Sequence, residues 1–280
     1  MKKLFITLVF ILLFLVGLSI LLYPFISDYF NSLSQTRVME QFDEDLKRLS
    51  QEDYSNLIES ARDYNKRLLK NNNRFKPTQA DLNEYFGSLD LMGRGVIGTL
   101  EIDVINVKLP IYLGTSAGVL QSGIGHLEGS SLPVGGPGTH CVLSGHRGLP
   151  SALLLTNMDK LFEGDTFVLN ILNETLVYEI DNIVIVEPHE TSWLAIDPSK
   201  DYCTLMTCTP YGINTHRLLV RGHRIFIESG EDLLARRTVM RPDAQRLSPV
   251  VGYAFAAAPV ILVSYVFMLI KDKKTKGRRY

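Results

Sequence analysis

The sequence predicts a mainly β domain, closed or sandwiched, preceded by amphipathic helices and flanked by two membrane-spanning helices. Three observations point there. Eight short segments rich in Val, Ile, Leu and Thr crowd residues 96–228, and Gly, Pro or Asn-Asp sequences bound most of them. Apolar residues recur at three- and four-residue steps between residues 36 and 70. Two long apolar runs, residues 4–22 and 250–270, lie near the ends of the chain.

The first apolar run follows Lys2 and Lys3. It is long enough to cross a hydrocarbon core of about 30 Å as a helix of ~20 residues. A retained anchor is the expectation for residues 1–30. The alternative is a cleaved signal peptide, against which stand the length of the run and the poor cleavage site Tyr23-Pro24-Phe25. In residues 31–95 a helical extension comes next. Met39, Phe42, Leu46 and Leu49 share one spacing, and Leu57, Ala61, Tyr64 and Leu68 resume it after Asp53. This predicts one broken or two short helices with solvated charged faces. Asn71-Asn72-Asn73, Pro77, Gly87, Gly93 and Gly95 then break the order and mark a linker.

Strands are predicted at residues 97–103, 107–113, 141–144, 166–171, 176–180, 183–187, 203–207 and 217–227, with one helix at 153–161. They fill a single domain over residues 96–228. A mixed, charged connector (229–249) leads to the second span (250–270) and a basic tail (271–280). A buried core helix is the alternative for the second run, and the basic residues directly after it argue against that.

The chain has 280 residues, is 46% hydrophobic and carries a formal charge of −1. Residues 271–279 hold six Lys or Arg and one Asp. Setting aside that local +5 and the +2 of Lys2 and Lys3 leaves −8 for the rest. Nucleic-acid binding gains no support from this balance. By the positive-inside rule both termini are cytoplasmic and residues ~30–245 face outward. Of three cysteines, Cys141, Cys203 and Cys208, at least one must be free. Cys141 and Cys203 are either a disulfide or two buried apolar thiols.

Cys208 closes the stretch Thr204-Leu205-Met206-Thr207-Cys208, ahead of Thr209-Pro210-Tyr211-Gly212. That puts a thiol where a strand meets a loop. Arg217 follows nine positions later and would lie beside Cys208 if the two flanking strands pair. His146 sits in Ser144-Gly145-His146-Arg147-Gly148, a glycine-flanked turn after a strand. A thiol, an imidazole and a permanent cation are the parts for acyl transfer through a thioester. The other histidines, His126, His140, His189, His216 and His223, have a structural reading as hydrogen-bonded or loop residues. No metal site and no cofactor are expected. The proximity of Cys208, Arg217 and His223 in sequence is a weak exception for a metal.

These residues resemble the sortases, membrane-bound cysteine transpeptidases of Gram-positive bacteria. Thr204-Leu205-Met206-Thr207-Cys208 matches the family's TLxTC motif, Arg217 its downstream arginine and His146 its histidine. Further blocks agree, from His126 through Pro133, Leu143 through Ser151 and Thr209 through Arg224, and they are similar to class C, the pilus-assembling sortases. The resemblance covers roughly residues 36–228. It implies an eight-stranded β-barrel with His146, Cys208 and Arg217 as catalytic residues. It also implies an LPxTG-like sorting signal of pilin or surface-protein substrates and a pilin lysine amine as acceptor. Wall anchoring, a hydrolytic cysteine protease and a catalytically silent membrane-tethered adhesion or scaffold module are the alternatives. Class C enzymes usually carry an Asp-Pro-aromatic lid, and no such triplet occurs in residues 30–100. The expectation is therefore a lid that is absent, short or mobile, with Phe75, Tyr85 and Phe86 unassigned.

Overall fold

A computed structural model describes residues 2–89 and 93–226. Helix α1 (Lys2–Leu46) runs without a break through the apolar segment into the amphipathic one. Its apolar half leaves Leu4, Phe5, Leu8, Phe10, Leu12, Leu13 and Ile20 exposed. Among the described residues it is the one helix long and apolar enough to cross a membrane. The run at 250–270 and the connector at 229–249 lie outside the described residues.

Beyond Asp28 the character of α1 changes. Gln35, Met39, Phe42 and Asp45 are buried, a stripe at helical spacing that faces the barrel. Asp28 accepts from the Leu153 N–H at 2.8 Å and Asn31 donates to the Ser151 carbonyl at 2.6 Å. The expected second helix is α2 (Gln51–Leu69), capped by the Ser50 hydroxyl, with Ile58, Ala61, Tyr64 and Leu68 buried. The region predicted as linker holds a third helix, α3 (Gln79–Ser88). Thr78 and Asp81 form a reciprocal capping box at its start. Pro77 precedes that cap and so begins a helix here where it was read only as a stop.

Eight strands close a barrel in the order β1-β2-β3-β4-β7-β8-β6-β5. They are β1 (Val96–Ile102), β2 (Val107–Leu113), β3 (Ile124–His126), β4 (Thr139–Ser144), β5 (Thr166–Ile171), β6 (Glu174–Val186), β7 (Asp201–Thr209) and β8 (His216–Ile225). The sheet is mixed: β2 with β3 and β4 with β7 are parallel, and the other pairs are antiparallel. The count of eight matches the expectation, but its composition differs. The two strands predicted at 176–180 and 183–187 are the single strand β6, bulged between Ile180 and Asn182. Asp181 at that bulge meets Arg221 on β8 through two contacts, 3.0 and 3.2 Å. The eighth strand is β3, whose three residues are too few to show a period. A short helix, α4 (Ala117–Ser122), precedes it, capped by Ser116.

The helix predicted at 153–161 is not formed. Turns and a single 3₁₀ turn, Met158–Lys160, occupy the segment. Leu154 has φ +39°, which no right-handed helix tolerates. Leu154, Leu155, Met158 and Leu161 are all buried, so the apolar spacing reports burial there and not helicity.

Tyr85 ties α3 to the barrel. Its ring is fully buried, its hydroxyl lies 2.8 Å from His126 Nδ1, and it accepts from the Gly114 N–H at 2.9 Å. His126 Nε2 faces the Ser131 carbonyl at 2.8 Å, which can only accept. The neutral ring therefore carries its proton on Nε2, and Nδ1 accepts from Tyr85. Tyr85→Phe would strand two buried polar groups and is expected to lower stability by about 1–3 kcal/mol. Denaturant unfolding of the purified chain measures this, and a change under about 0.5 kcal/mol would contradict the assigned role.

Candidate active site

β7 carries the thiol. Side chains alternate between the two faces of a strand, so Tyr202, Thr204, Met206 and Cys208 share one face, and Cys203, Leu205 and Thr207 share the other. Cys203, Leu205 and Thr207 are buried, whereas Cys208 is half-buried. Cys208 therefore stands on the outer face of the barrel at the end of its strand.

Pairing sets its neighbours. Cys208 is directly opposite Arg217 on β8, and Arg217 is opposite Val186 on β6. Directly opposed residues in an antiparallel pair have Cβ atoms about 5 Å apart on one face. Arg217 Nη1 donates to the carbonyls of Asn214 at 3.3 Å and His216 at 3.1 Å. Its Nε and Nη2 donors have no partner among the described residues. The structure thus sets a half-buried arginine with free N–H groups across from the thiol.

β4 brings the imidazole. It runs parallel to β7, with Val142 opposite Thr204 and Ser144 opposite Met206. The ladder extends past the strand end, because the Gly145 N–H donates to the Met206 carbonyl at 3.0 Å. The Thr207 hydroxyl donates back to the Gly145 carbonyl at 2.7 Å. Carrying the same register on by two residues leads from Ser144 and Met206 to His146 and Cys208. The His146 ring is half-buried and makes no hydrogen bond among the described residues.

The turn after His146 is clamped to the same end of the barrel. Arg147 donates to Thr209 Oγ1 at 3.1 Å and pairs with Asp159 at 2.6 Å. Gly148 has φ +77°, and a Cβ there would meet the Tyr211 ring at 3.0 Å. No other residue fits that turn without moving Tyr211.

The remaining histidines have other duties. His126 is inside the Tyr85 network. His140 is 1% exposed, bonded through Nδ1 to the Ala195 carbonyl at 2.8 Å and through Nε2 to the Thr204 hydroxyl at 2.7 Å. Burial of its ring, opposed by the Ala195 bond and reinforced by Arg74 and Arg221, lowers its pKa from 6.5 to about 4. His189 pairs with Glu187 on the surface, and His216, one residue before Arg217, leaves the opposite face of β8. His223 lies 3.9 Å from Asp181 and is opposite Tyr202. Six residues of strand, about 20 Å, separate it from the Cys208 row, so those residues do not converge on a metal.

An apolar stripe continues from the Cys208 row. Val142, Val186, Leu194 and Leu219 are buried together, with Leu127, Val184 and Met206 around them. Met206 and Leu219 face each other one row from Cys208 and Arg217, about 7 Å along the strands. Phe75 packs against this cluster. Arg74 holds the strap in place, donating to the carbonyls of Gly129 at 2.9 Å and Leu194 at 2.5 Å, with its guanidinium 4.3 Å over the Phe75 ring. Within the segment expected to hold an absent, short or mobile lid, Arg74 and Phe75 are docked on the barrel. A separate cavity of about 430 Å³ lies between α2 and the 135–138 loop and touches none of His146, Cys208 or Arg217.

Known proteins resemble this chain in sequence and in fold. The sortase domain family matches residues 100–225. Sortase C1 of Streptococcus agalactiae is 46% identical, with a TM-score of 0.67 over 69% of this chain and 100% of that one. The chain belongs to the sortase family. The Clostridium perfringens sortase C solved with a C-terminal cell wall sorting motif is 42% identical, with a TM-score of 0.61 over 69% of this sortase and 100% of that chain. Sortase D of Bacillus subtilis (strain 168) is 34% identical over 131 residues, spanning 46% of this chain and 63% of that relative, under two thirds of its length. Sortases are cysteine transpeptidases.

Sequence reasoning missed several residues that shape this sortase's site. Arg147 stood beside His146 in the same block, and its link to Thr209 is long-range and leaves no local pattern. Arg74 and Phe75 sat in a stretch read only as a linker. Thr204 and Thr207 were seen as motif letters, and the structure gives each a bond that fixes β7.

His140 supplies a pH dependence. Its folded pKa lies below its unfolded value, so the unfolded chain binds the extra proton first as pH falls. Stability is fully present above about pH 6.5 and declines toward pH 4, on the order of 3 kcal/mol for this group. His140→Gln is expected to lose less on the same descent. Parallel urea titrations at pH 7 and 4.5 measure the difference, and equal losses in both proteins would contradict the assignment.

Proposed function

We propose that this sortase is a pilus-assembling transpeptidase that cleaves an LPxTG-like sorting signal and joins the new carboxyl end to a pilin lysine. The observation that carries the reading is the register that sets Cys208 across from the free donors of Arg217, with an apolar stripe leading away along β6, β7 and β8.

The chemistry follows from those positions. The Cys208 thiol passes its proton to His146 as its sulfur attacks the carbonyl carbon of the signal's threonine. N–H groups of Arg217 donate to the carbonyl oxygen as negative charge gathers there. The bond to the next residue breaks, and His146 gives its proton to the departing amine. The acyl group then rests on Cys208 as a thioester. A lysine amine attacks that carbonyl, His146 accepts the amine's proton, and the thiol leaves as an isopeptide bond forms. The apolar stripe suits the leucine and proline of such a signal, and Phe75 occupies part of it. Displacement of Phe75 would then precede substrate entry.

The membrane arrangement belongs to the same reading. The exposed apolar half of α1 anchors the chain, and the basic Lys2 and Lys3 ahead of it keep that end in the cytoplasm with the barrel outside. Substrate and acceptor are both surface proteins, which requires the barrel on that side. The pilin-type reading rests on the class C likeness. Wall anchoring is the second reading, since the same thioester on Cys208 serves any amine acceptor.

Cys208→Ala is expected to abolish cleavage of a sorting peptide, and His146→Ala and Arg217→Ala each to lower kcat/KM by at least about 100-fold. Near-normal turnover in any of the three would remove that residue from the mechanism. Product masses with and without a pilin lysine separate pilus assembly from wall anchoring and from hydrolysis.

Phe75→Ala should raise the rate at which a sorting-signal electrophile labels Cys208. Phe75 is half-buried, so its docking contributes about 1 kcal/mol, roughly a factor of five in the open population. Unchanged labelling in a quench-flow assay would show that the strap does not guard the groove.

A further inference from the structure

The strands that carry His146 and Cys208 are also joined by their cysteines. Cys141 on β4 is directly opposite Cys203 on β7. Both are free thiols, 2% and 0% exposed. Cys203 lies five positions before Cys208, an odd step, so it points into the barrel while Cys208 points out. Cys141 likewise lies five positions before His146. The odd number of cysteines therefore divides by face, with an inner pair on adjacent strands and one outer thiol that cannot reach either.

The inner pair is set side by side by the β4–β7 ladder. Adjacent strands lie about 4.8 Å apart, inside the 4.4–6.8 Å range of Cα separations that a disulfide spans. Burial pushes the Cys203 thiol up, and its neighbour Cys141 adds to that push. Burial acts the same way on Cys141, but the neighbouring Cys203 thiol and His126 ring act against it and leave Cys141 the more acidic partner.

We infer that Cys141 and Cys203 form a cross-strand disulfide under thiol-oxidising conditions, a covalent staple between the two strands that present the imidazole and the catalytic thiol. The oxidant is a small-molecule disulfide. The Cys141 thiolate attacks one of its sulfurs and expels a thiolate, giving a mixed disulfide on Cys141. The Cys203 thiolate then attacks the Cys141 sulfur and expels the second half of the oxidant. Two protein thiols are oxidised, one external disulfide is reduced to two thiols, and the two protein protons pass to the expelled thiolates. Both sulfurs are buried, so exchange runs while the barrel opens or forms, and the closed barrel then shields the bond from reductant. A cross-link between positions 62 apart in sequence restricts the unfolded chain strongly.

The test uses the full chain in detergent and reads thiols, not activity, so its outcome is independent of the proposed reaction. The protein is incubated with oxidised glutathione, once folded and once in a denaturant concentration that opens the barrel, followed by dilution. It is then alkylated in strong denaturant and mapped by mass spectrometry. The expected result is a peptide linking Cys141 to Cys203 in at least one arm, with both protected from alkylation until reduction. Tm should rise in the linked protein, and Cys141→Ser should leave Cys203 alkylatable. Alkylation of both cysteines in both arms would overturn the inference. So would a link through Cys208, or a lower Tm in the linked protein.

Discussion

The parallel pairing of β4 with β7 is the constraint on which the site depends. Parallel strands cannot be joined by a tight turn, so the chain between them must make a long excursion. Here that excursion contains the 145–157 turns, β5, β6 and the β6–β7 loop. The turns place His146 and Arg147 at the end where β7 carries Cys208, and the β6–β7 loop supplies Leu194 to the apolar stripe. A slip of one residue in the pairing would turn Cys208 inward and Cys203 outward. The buried Thr204–His140 and Thr207–Gly145 hydrogen bonds oppose that slip from both faces.

Electrostatics and burial divide the work between two kinds of residue. Three buried polar side chains of the scaffold are each satisfied by a fixed partner: Tyr85 by His126, His140 by Thr204 and Asn65 by the Leu132 backbone. Such groups hold the scaffold rigid because leaving any one unpaired is costly. The groups assigned to chemistry are the opposite case. Cys208 and the His146 ring have no hydrogen-bond partner among the described residues, and Arg217 keeps two nitrogens free. Unpaired donors and acceptors at a half-open strand end are available to a substrate in a way the scaffold groups are not.

Much of this was legible in the chain. Strand-forming residues at regular intervals gave the mainly β class, and β2 and β5 match their expected bounds. The likeness of Thr204–Cys208, Arg217 and His146 to one family singled out residues that the register brings to one end of the barrel. Other features were hidden for physical reasons. Three residues of β3 carry no periodicity. Asp181 looked like a strand end because a bulge and a turn use the same residue types. The buried leucines at 154–161 mimicked helical spacing while a left-handed Leu154 ruled a helix out. Arg74 and Phe75 could not be placed because their partners, Gly129, Leu194 and Val142, are more than fifty positions away. The pairing of Cys141 with Cys203 needed the register as well.

The central claim is that this register makes the Cys208 sulfur the atom that takes up the substrate's acyl group. Incubating the full chain with an LPxTG-like peptide without acceptor, quenching in acid and mapping the adduct by mass spectrometry tests it most directly. The expected result is an acyl group ending at threonine on Cys208, released by hydroxylamine, with Cys141 and Cys203 unmodified. Peptide cleavage with no adduct on Cys208, or an adduct on another residue, would contradict the account.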